Sequence, residues 1–253
     1  MSRTHLLVPD QQAHPDFNND RADWLGKLIK DLKPDVLINI GDAADMPSLC
    51  SYDKGTRGFV GRNYKKDIEA HLDFQERMWA PIKKSKKRLP ISYVFEGNHE
   101  HRIERALNLS PELDGAMGFR DLEFDRYYNH VVRYWGGSPG VRVIDGVHYA
   151  HYHVSGVMLR AIGGEHGAYS LLTKKFVSCT QAHTHTVDYA VRTTAEGRKI
   201  HGLIGGCFQD YYSEWAGVAN ELWWPGVVIK RNVEDGTYDP QFIGMEALKK
   251  EYG

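Results

Sequence analysis

Three short apolar runs, His5 to Val8, Val36 to Ile40 and Ile91 to Phe95, alternate with two stretches of helical spacing, and this alternation constrains the chain more than any other feature. Between the first two runs, Arg21 to Leu32 carries Trp24, Leu25, Leu28, Ile29 and Leu32 on one helical face and stops before Pro34. Between the second and third, helical patterning runs from Tyr64 to roughly Lys84. Strand, helix, strand, helix, strand implies neighbouring parallel strands joined by right-handed crossovers, because a right-twisted strand and its helix pack back onto the sheet only in that hand.

Further apolar runs follow at Val141 to Ile144, Val147 to Ala150 and Phe176 to Thr180. After Val187 the texture changes to alternation, in Val187 to Arg192 and Lys199 to Ile204, then Val227 to Arg231 before the turn Glu234-Asp235-Gly236, which predicts antiparallel strands. With no internal repeat or linker, residues 1–253 read as a single α/β domain with two sheets. The longest unassigned connection, Asp45 to Asn63, is either a functional loop or a passive surface excursion.

Composition narrows the function. A net charge of −1 gives no strong overall field toward nucleic acid or a membrane, so an anionic substrate must be attracted locally. Cys50, Cys179 and Cys207 form no CxxC pattern, which argues against a thiolate zinc site and a disulfide framework and for a reducing compartment. The N-terminal apolar run is too short for a signal peptide and no later run could cross a bilayer, so the cytoplasm is the expected location and no membrane partner is expected.

Polar clusters recur where strands should end. Asp10 follows the first strand, Gly41-Asp42 the second and Asn98-His99-Glu100 the third. His151 and His153 follow the run ending at Ala150, and His183 with His185 the run ending near Thr180. Loops at the carboxyl ends of parallel strands converge on one crevice, and carboxylate, amide oxygen and imidazole suit manganese, iron or zinc. Each residue alone reads as a turn or an ordinary histidine; the joint order is what points to a metal site. His151, first after its strand, is preferred to His153.

The order Asp10, Gly41-Asp42-Ala43-Ala44-Asp45, Gly97-Asn98-His99-Glu100, His151 and His183-Thr184-His185 resembles the calcineurin-like metallophosphoesterases, and the texture from Met46 to Gly55 resembles members carried by bacteriophages. The resemblance implies an αββα sandwich of two mixed sheets flanked by helices, and a binuclear metal-dependent hydrolase acting on phosphate esters. It implies two divalent ions, manganese first, with iron, zinc or nickel as alternatives. Asp42 would bridge them, Asp10 and His185 would complete one site, and Asn98, His151 and His183 the other. A metal-bridging hydroxide would attack phosphorus. His99 would act as acid or phosphate contact, with Glu100 orienting it, and Asp45 would support the ligands from behind.

Two positions depart from the family pattern. Where Asp-x-His is expected the chain has Asp10-Gln11-Gln12, so Gln12 supplies an amide oxygen or the position is left to water; His14 is a less favoured substitute. Ala182 stands in place of a glycine. Glu100 could equally be a helix N-terminal carboxylate. The basic run Lys83 to Arg88 reads as a solvated helix end rather than a nucleic-acid contact, Arg102 or Arg105 could reach a phosphate, and Tyr211, Tyr212, Trp215, Trp223 and Trp224 either stack a base or, for most of them, pack between sheets. A phosphodiester of nucleotide type is the favoured substrate. Nuclease, phosphomonoesterase and protein phosphatase activities are alternatives within the enzyme class, and a non-catalytic metal- or nucleotide-binding module is the alternative outside it.

Overall fold

A computed structural model describes residues 2–85 and 88–253. In chain order the elements are β1 (Arg3–Val8), α1 (Asp20–Leu32), β2 (Val36–Asn39), α2 (Tyr64–Lys84), β3 (Ile91–Phe95), α3 (His101–Leu109), the single turn α4 (Phe124–Tyr127) and β4 (His130–Val132). Then come β5 (Arg142–Ile144), β6 (Val147–Tyr149), the short β7 (Val154–Ser155) and β8 (Arg160–Ala161), α5 (Gly167–Lys175) and β9 (Cys179–Gln181). β10 (Val187–Thr193), β11 (Lys199–Gly205), β12 (Gly226–Glu234), β13 (Thr237–Gly244) and α6 (Met245–Tyr252) complete the chain.

The strands make two large mixed sheets. The first has the order β13-β12-β1-β2-β3-β4, with β1 through β4 parallel, β12 antiparallel to β1 and β13 antiparallel to β12; the second has the order β10-β11-β9-β6-β5, with β9 parallel to both its neighbours. Adjacent residues of the first sheet serve different cores. Leu6, Leu37 and Val94 face the helical side with Leu25, Ile29, Phe74 and Trp79, whereas Leu7, Ile38 and Phe95 meet Val147, Tyr149 and Leu203 of the second sheet. Burial on both faces is why these strands read as continuous apolar runs rather than alternating ones. α5 covers the second sheet through Leu171 against Ile204. Each fully buried Leu or Ile contributes ~1.5–3 kcal/mol relative to an exposed one.

Some boundaries moved. The run from Phe176 to Thr180 divides: Phe176 is the exposed left-handed C-cap of α5 (φ 59°), and the strand begins at Cys179. The hairpin turn before Gly236 leads into β13, where Pro240 is tolerated because that strand is an edge. The loop from residue 45 to 63 contains two 3-10 turns, Pro47–Leu49 and Arg57–Phe59. Lys86 and Lys87, the middle of the basic run, lie outside the described residues. Among the described residues no helix is long and apolar enough to cross a membrane.

Candidate metal centre

The five strands that precede the polar clusters, β1, β2, β3, β6 and β9, deliver them to one place at their carboxyl ends. The backbone there is unusual. Asp10, Gln12, Asp42, His183 and His185 all adopt positive φ, between 21° and 71°. Left-handed backbone at non-glycine residues costs on the order of 1 kcal/mol each and persists only where surroundings impose it. Those surroundings are identifiable: Gln12 N–H donates to Asp42 O (2.8 Å), Ala13 N–H to Ala43 O (2.9 Å) and Phe208 N–H to Asp10 O (3.0 Å). Arg21, fully buried, donates to Gln11 O and Phe208 O, both at 3.0 Å, tying the first loop to the segment after β11.

Two glycines set how closely the loops approach. A Cβ on Gly97 would lie 2.1 Å from Asp42 Oδ1, and one on Gly41, itself at φ 108°, would lie 2.8 Å from His151 Nδ1. No side chain fits at Gly97 without parting these loops.

Asp10, Asp42, Asn98, His151, His183 and His185 converge. His151 Nε2 lies 2.9 Å from Asn98 Oδ1 and 3.3 Å from Asp42 Oδ2, while His185 Nε2 lies 3.2 Å from Asp10 Oδ2. Donor atoms of Asp42, His151 and His183 lie within 4.8 Å of one another. Adjacent ligands held ~2.1 Å from one ion at right angles would be ~3 Å apart, so the spacing suits a cation. His151 Nδ1 meets Ile40 O at 3.1 Å, which directs Nε2 into the cluster. Among the described residues Asp10 Oδ1 and His185 Nδ1 are buried and make no hydrogen bond, the nearest charged neighbour of Asp10 Oδ1 being His151 Nδ1 at 3.7 Å. An orphaned carboxylate oxygen is costly in a protein interior unless something else takes its lone pairs, and the oxygen and imidazole donors around it are those of a divalent cation.

The electrostatics are those of carboxylates crowded among imidazoles. Burial opposes ionisation of Asp42, but His151 and His99 beside it hold its carboxyl well below the usual range. Burial likewise opposes protonation of His151, yet Asp42 and Asp10 push it up to about 9. His183 goes the other way, to about 4, through burial and the neighbouring His151.

His99 faces the pocket beside these groups. Its Nδ1 meets Asp45 Oδ1 at 2.8 Å and Asp45 O at 2.6 Å, and Arg102 Nη2 donates to its Nε2 at 3.1 Å. Burial lowers the His99 pKa, but Asp42 and Asp45 raise it overall. The carboxylate that orients His99 is thus Asp45. Glu100, expected in that role, instead accepts main-chain N–H groups from Asp42 (3.0 Å), Ala44 (2.9 Å) and Gly97 (2.7 Å). It is a clasp between the loops after β2 and β3, and burial with Asp42 nearby pushes its carboxyl up to about 7.

Gln12 borders the pocket, but its Oε1 accepts from Gln209 Nε2 (2.6 Å) and its Nε2 lies 3.2 Å from His185 Nε2, so the nitrogen faces the cluster. His14 points to Asp45 (3.6 Å), and His153 is buried away from the cluster, its main-chain N–H bound to Gln181. Arg105 is exposed. The tryptophans divide: Trp224 packs on Phe242, while Trp215 and Trp223 line the pocket with Asp42, Asn98, His99, His183 and His185, enclosing about 210 Å³. Tyr211 stacks on Phe17 at 4.0 Å and donates to Gln12 O, and Tyr212 is exposed.

Sequence reasoning missed the layer beneath. Asn39 Nδ2 donates to Gln11 Oε1 (3.0 Å) and Tyr128 Oη (3.1 Å), Tyr128 donates to Gln75 Oε1 (2.8 Å), and Asn39 Oδ1 accepts from Gly41 N–H (3.2 Å). The one available signal was Asn39, a polar residue closing an otherwise apolar strand.

No family model matches the chain. It is similar to the "Gene 54 protein" of Mycobacterium phage L5, 26% identical over 190 residues that cover 73% of this chain and 70% of that protein. A phage-encoded relative accords with the texture of the sequence after Asp42.

Proposed function

We propose that the chain is a binuclear metal-dependent phosphoesterase of the calcineurin-like metallophosphoesterase type, its two mixed sheets and flanking helices forming that family's αββα sandwich. The observation that carries this reading is the convergence of Asp10, Asp42, Asn98, His151, His183 and His185 in one cluster, in which Asp10 Oδ1 makes no hydrogen bond among the described residues. Asp42 would be shared between the ions, Asp10 and His185 would hold one of them, and Asn98, His151 and His183 would hold the other. Manganese is the leading candidate, with iron, zinc or nickel as alternatives. Bound there, the ions supply Lewis-acid charge and an acidified water at neutral pH. The chain's own groups position the ester: His99, held by Asp45 on one nitrogen, presents its other nitrogen to the pocket as hydrogen-bond donor or acid to the leaving oxygen. Arg102 sits on that nitrogen and would have to yield it.

A phosphodiester of nucleotide type is the favoured substrate. Hydrolysis of bis(p-nitrophenyl) phosphate and p-nitrophenyl phosphate in manganese, compared before and after chelation, tests the reading; activity that survives both chelation and His99→Ala sinks it. A non-catalytic metal-binding module is favoured by one feature, Gln12 standing where the family pattern has a histidine, with its amide hydrogen-bonded to Gln209. One metal equivalent without turnover would mark that alternative.

A further inference from the structure

The wall of the pocket facing the ligands is aromatic, and burial of a core does not account for it. Trp215 is 70% exposed although it lines the pocket. Its ring centroid lies 5.8 Å from that of Trp223, and Trp223 meets His185 edge-on at 4.3 Å. The segment carrying them is closed on itself: Asn220 Oδ1 accepts from Ser213 N–H (3.0 Å), and its amide donates to Ser213 O and Gly217 O, both at 2.8 Å. Trp224 N–H, the next along the chain, donates to His185 O at 2.9 Å, so the segment is pinned to the ligand loop. An indole held open to water by a tied loop, beside a site for an anion, is the arrangement of a stacking platform.

We propose that Trp215 and Trp223 are specificity-determining residues that stack a nucleobase of the substrate, selecting phosphodiesters with a nucleoside next to the reacting phosphate. The inference rests on the phosphoesterase reading. The two rings are tilted by 52°, so they do not sandwich a base between parallel faces; Trp215 offers the face and Trp223 backs it against His185. The enclosed volume of about 210 Å³ is small beside ordinary ligand pockets of ~300–1,000 Å³. It takes the phosphate and one flat ring and leaves the remainder of the substrate in solvent.

Thymidine 5′-(p-nitrophenyl phosphate) and methyl p-nitrophenyl phosphate share a leaving group and differ in the nucleoside. The expected result is a kcat/KM ratio favouring the nucleoside ester, falling about ten-fold in Trp215→Leu and largely restored in Trp215→Phe. A ratio unchanged in Trp215→Leu overturns the proposal. If the metal-loaded wild type hydrolyses neither ester, the phosphodiesterase reading fails, and quenching of tryptophan fluorescence by thymidine monophosphate still decides the platform: quenching lost in Trp215→Leu supports it, and quenching absent or retained in the variant overturns it. Competition separates the sources. A single-stranded oligonucleotide competing at lower concentration than the mononucleotide assigns the ring to a nucleic-acid end, the reverse order assigns it to a free nucleotide, and competition by neither overturns the proposal.

Discussion

β1, β6 and β9 each carry two polar groups. Within the strands His5, Tyr149 and Thr180 point between the sheets; just past the strand ends stand Asp10, His151 and His183. The inner group is satisfied from inside. Tyr149 Oη lies 2.8 Å from His5 Nδ1 and accepts from Lys230 Nζ at 3.2 Å; Lys230 also donates to Thr180 and lies 4.3 Å from the ring centroids of Tyr149 and Tyr238. His5 Nε2 reaches Asp145 (2.7 Å), which Arg3 also binds. Past the strand ends, Asp10 Oδ1 and the nearby His185 Nδ1 make no hydrogen bond among the described residues, and Asp10, His183 and His185 sit on left-handed backbone. Burial and polarity alone therefore do not mark a functional site. Unused valence on imposed backbone is what sets the outer cluster apart.

Substitutions can break this contrast or sharpen it. Asp42→Asn should lower hydrolysis by about 10³-fold with the metal-free fold retained, and chelation should shift the thermal midpoint of the wild type more than that of the variant. Equal shifts would mean that Asp42 holds no metal. Gly97→Ala drives a Cβ into Asp42 and should cost ~3 kcal/mol, read as a lower urea midpoint, together with metal affinity. The inner network should respond to acid. Burial lowers His5 to about 4 in the folded protein, below its unfolded value of ~6.5, so the unfolded chain binds more protons between those values and stability falls as pH drops through that window. The expected loss is about 3 kcal/mol, with a shallower slope of urea midpoint against pH in His5→Gln. The smallest effect belongs to Tyr149→Phe, which should cost about 1–2 kcal/mol and leave kcat/KM unchanged. Activity falling in step with stability would show the two clusters to be coupled, since they lie only two residues apart along β6.

The β1-α1-β2-α2-β3 core was legible because its periods switch cleanly between strand and helix, and the polar residues that converge because each follows a strand in a fixed order. The α5–β9 junction was not, because Phe176 and Val177 extend an apolar run whose first residue is an exposed helix cap. Long-range partners were illegible for a different reason. Nothing local in Arg21, Gln75 or Tyr128 says that they will meet Gln11, Asn39 and Phe208 across the fold. The division between Trp224 in the core and Trp223 at the pocket likewise follows from β12 beginning at Gly226, which leaves its preceding residues at the sheet margin.

The carboxylate of Glu100 has a consequence for anyone transplanting this site. Asp42 and Asn98 come from loops more than fifty residues apart, yet one side chain binds N–H groups of residues 42, 44 and 97. A graft that copied the six converging residues onto another scaffold would inherit the donor atoms without the fastening that sets their spacing. The transferable unit is the pair of loops with Glu100 between them and Gly97 left bare.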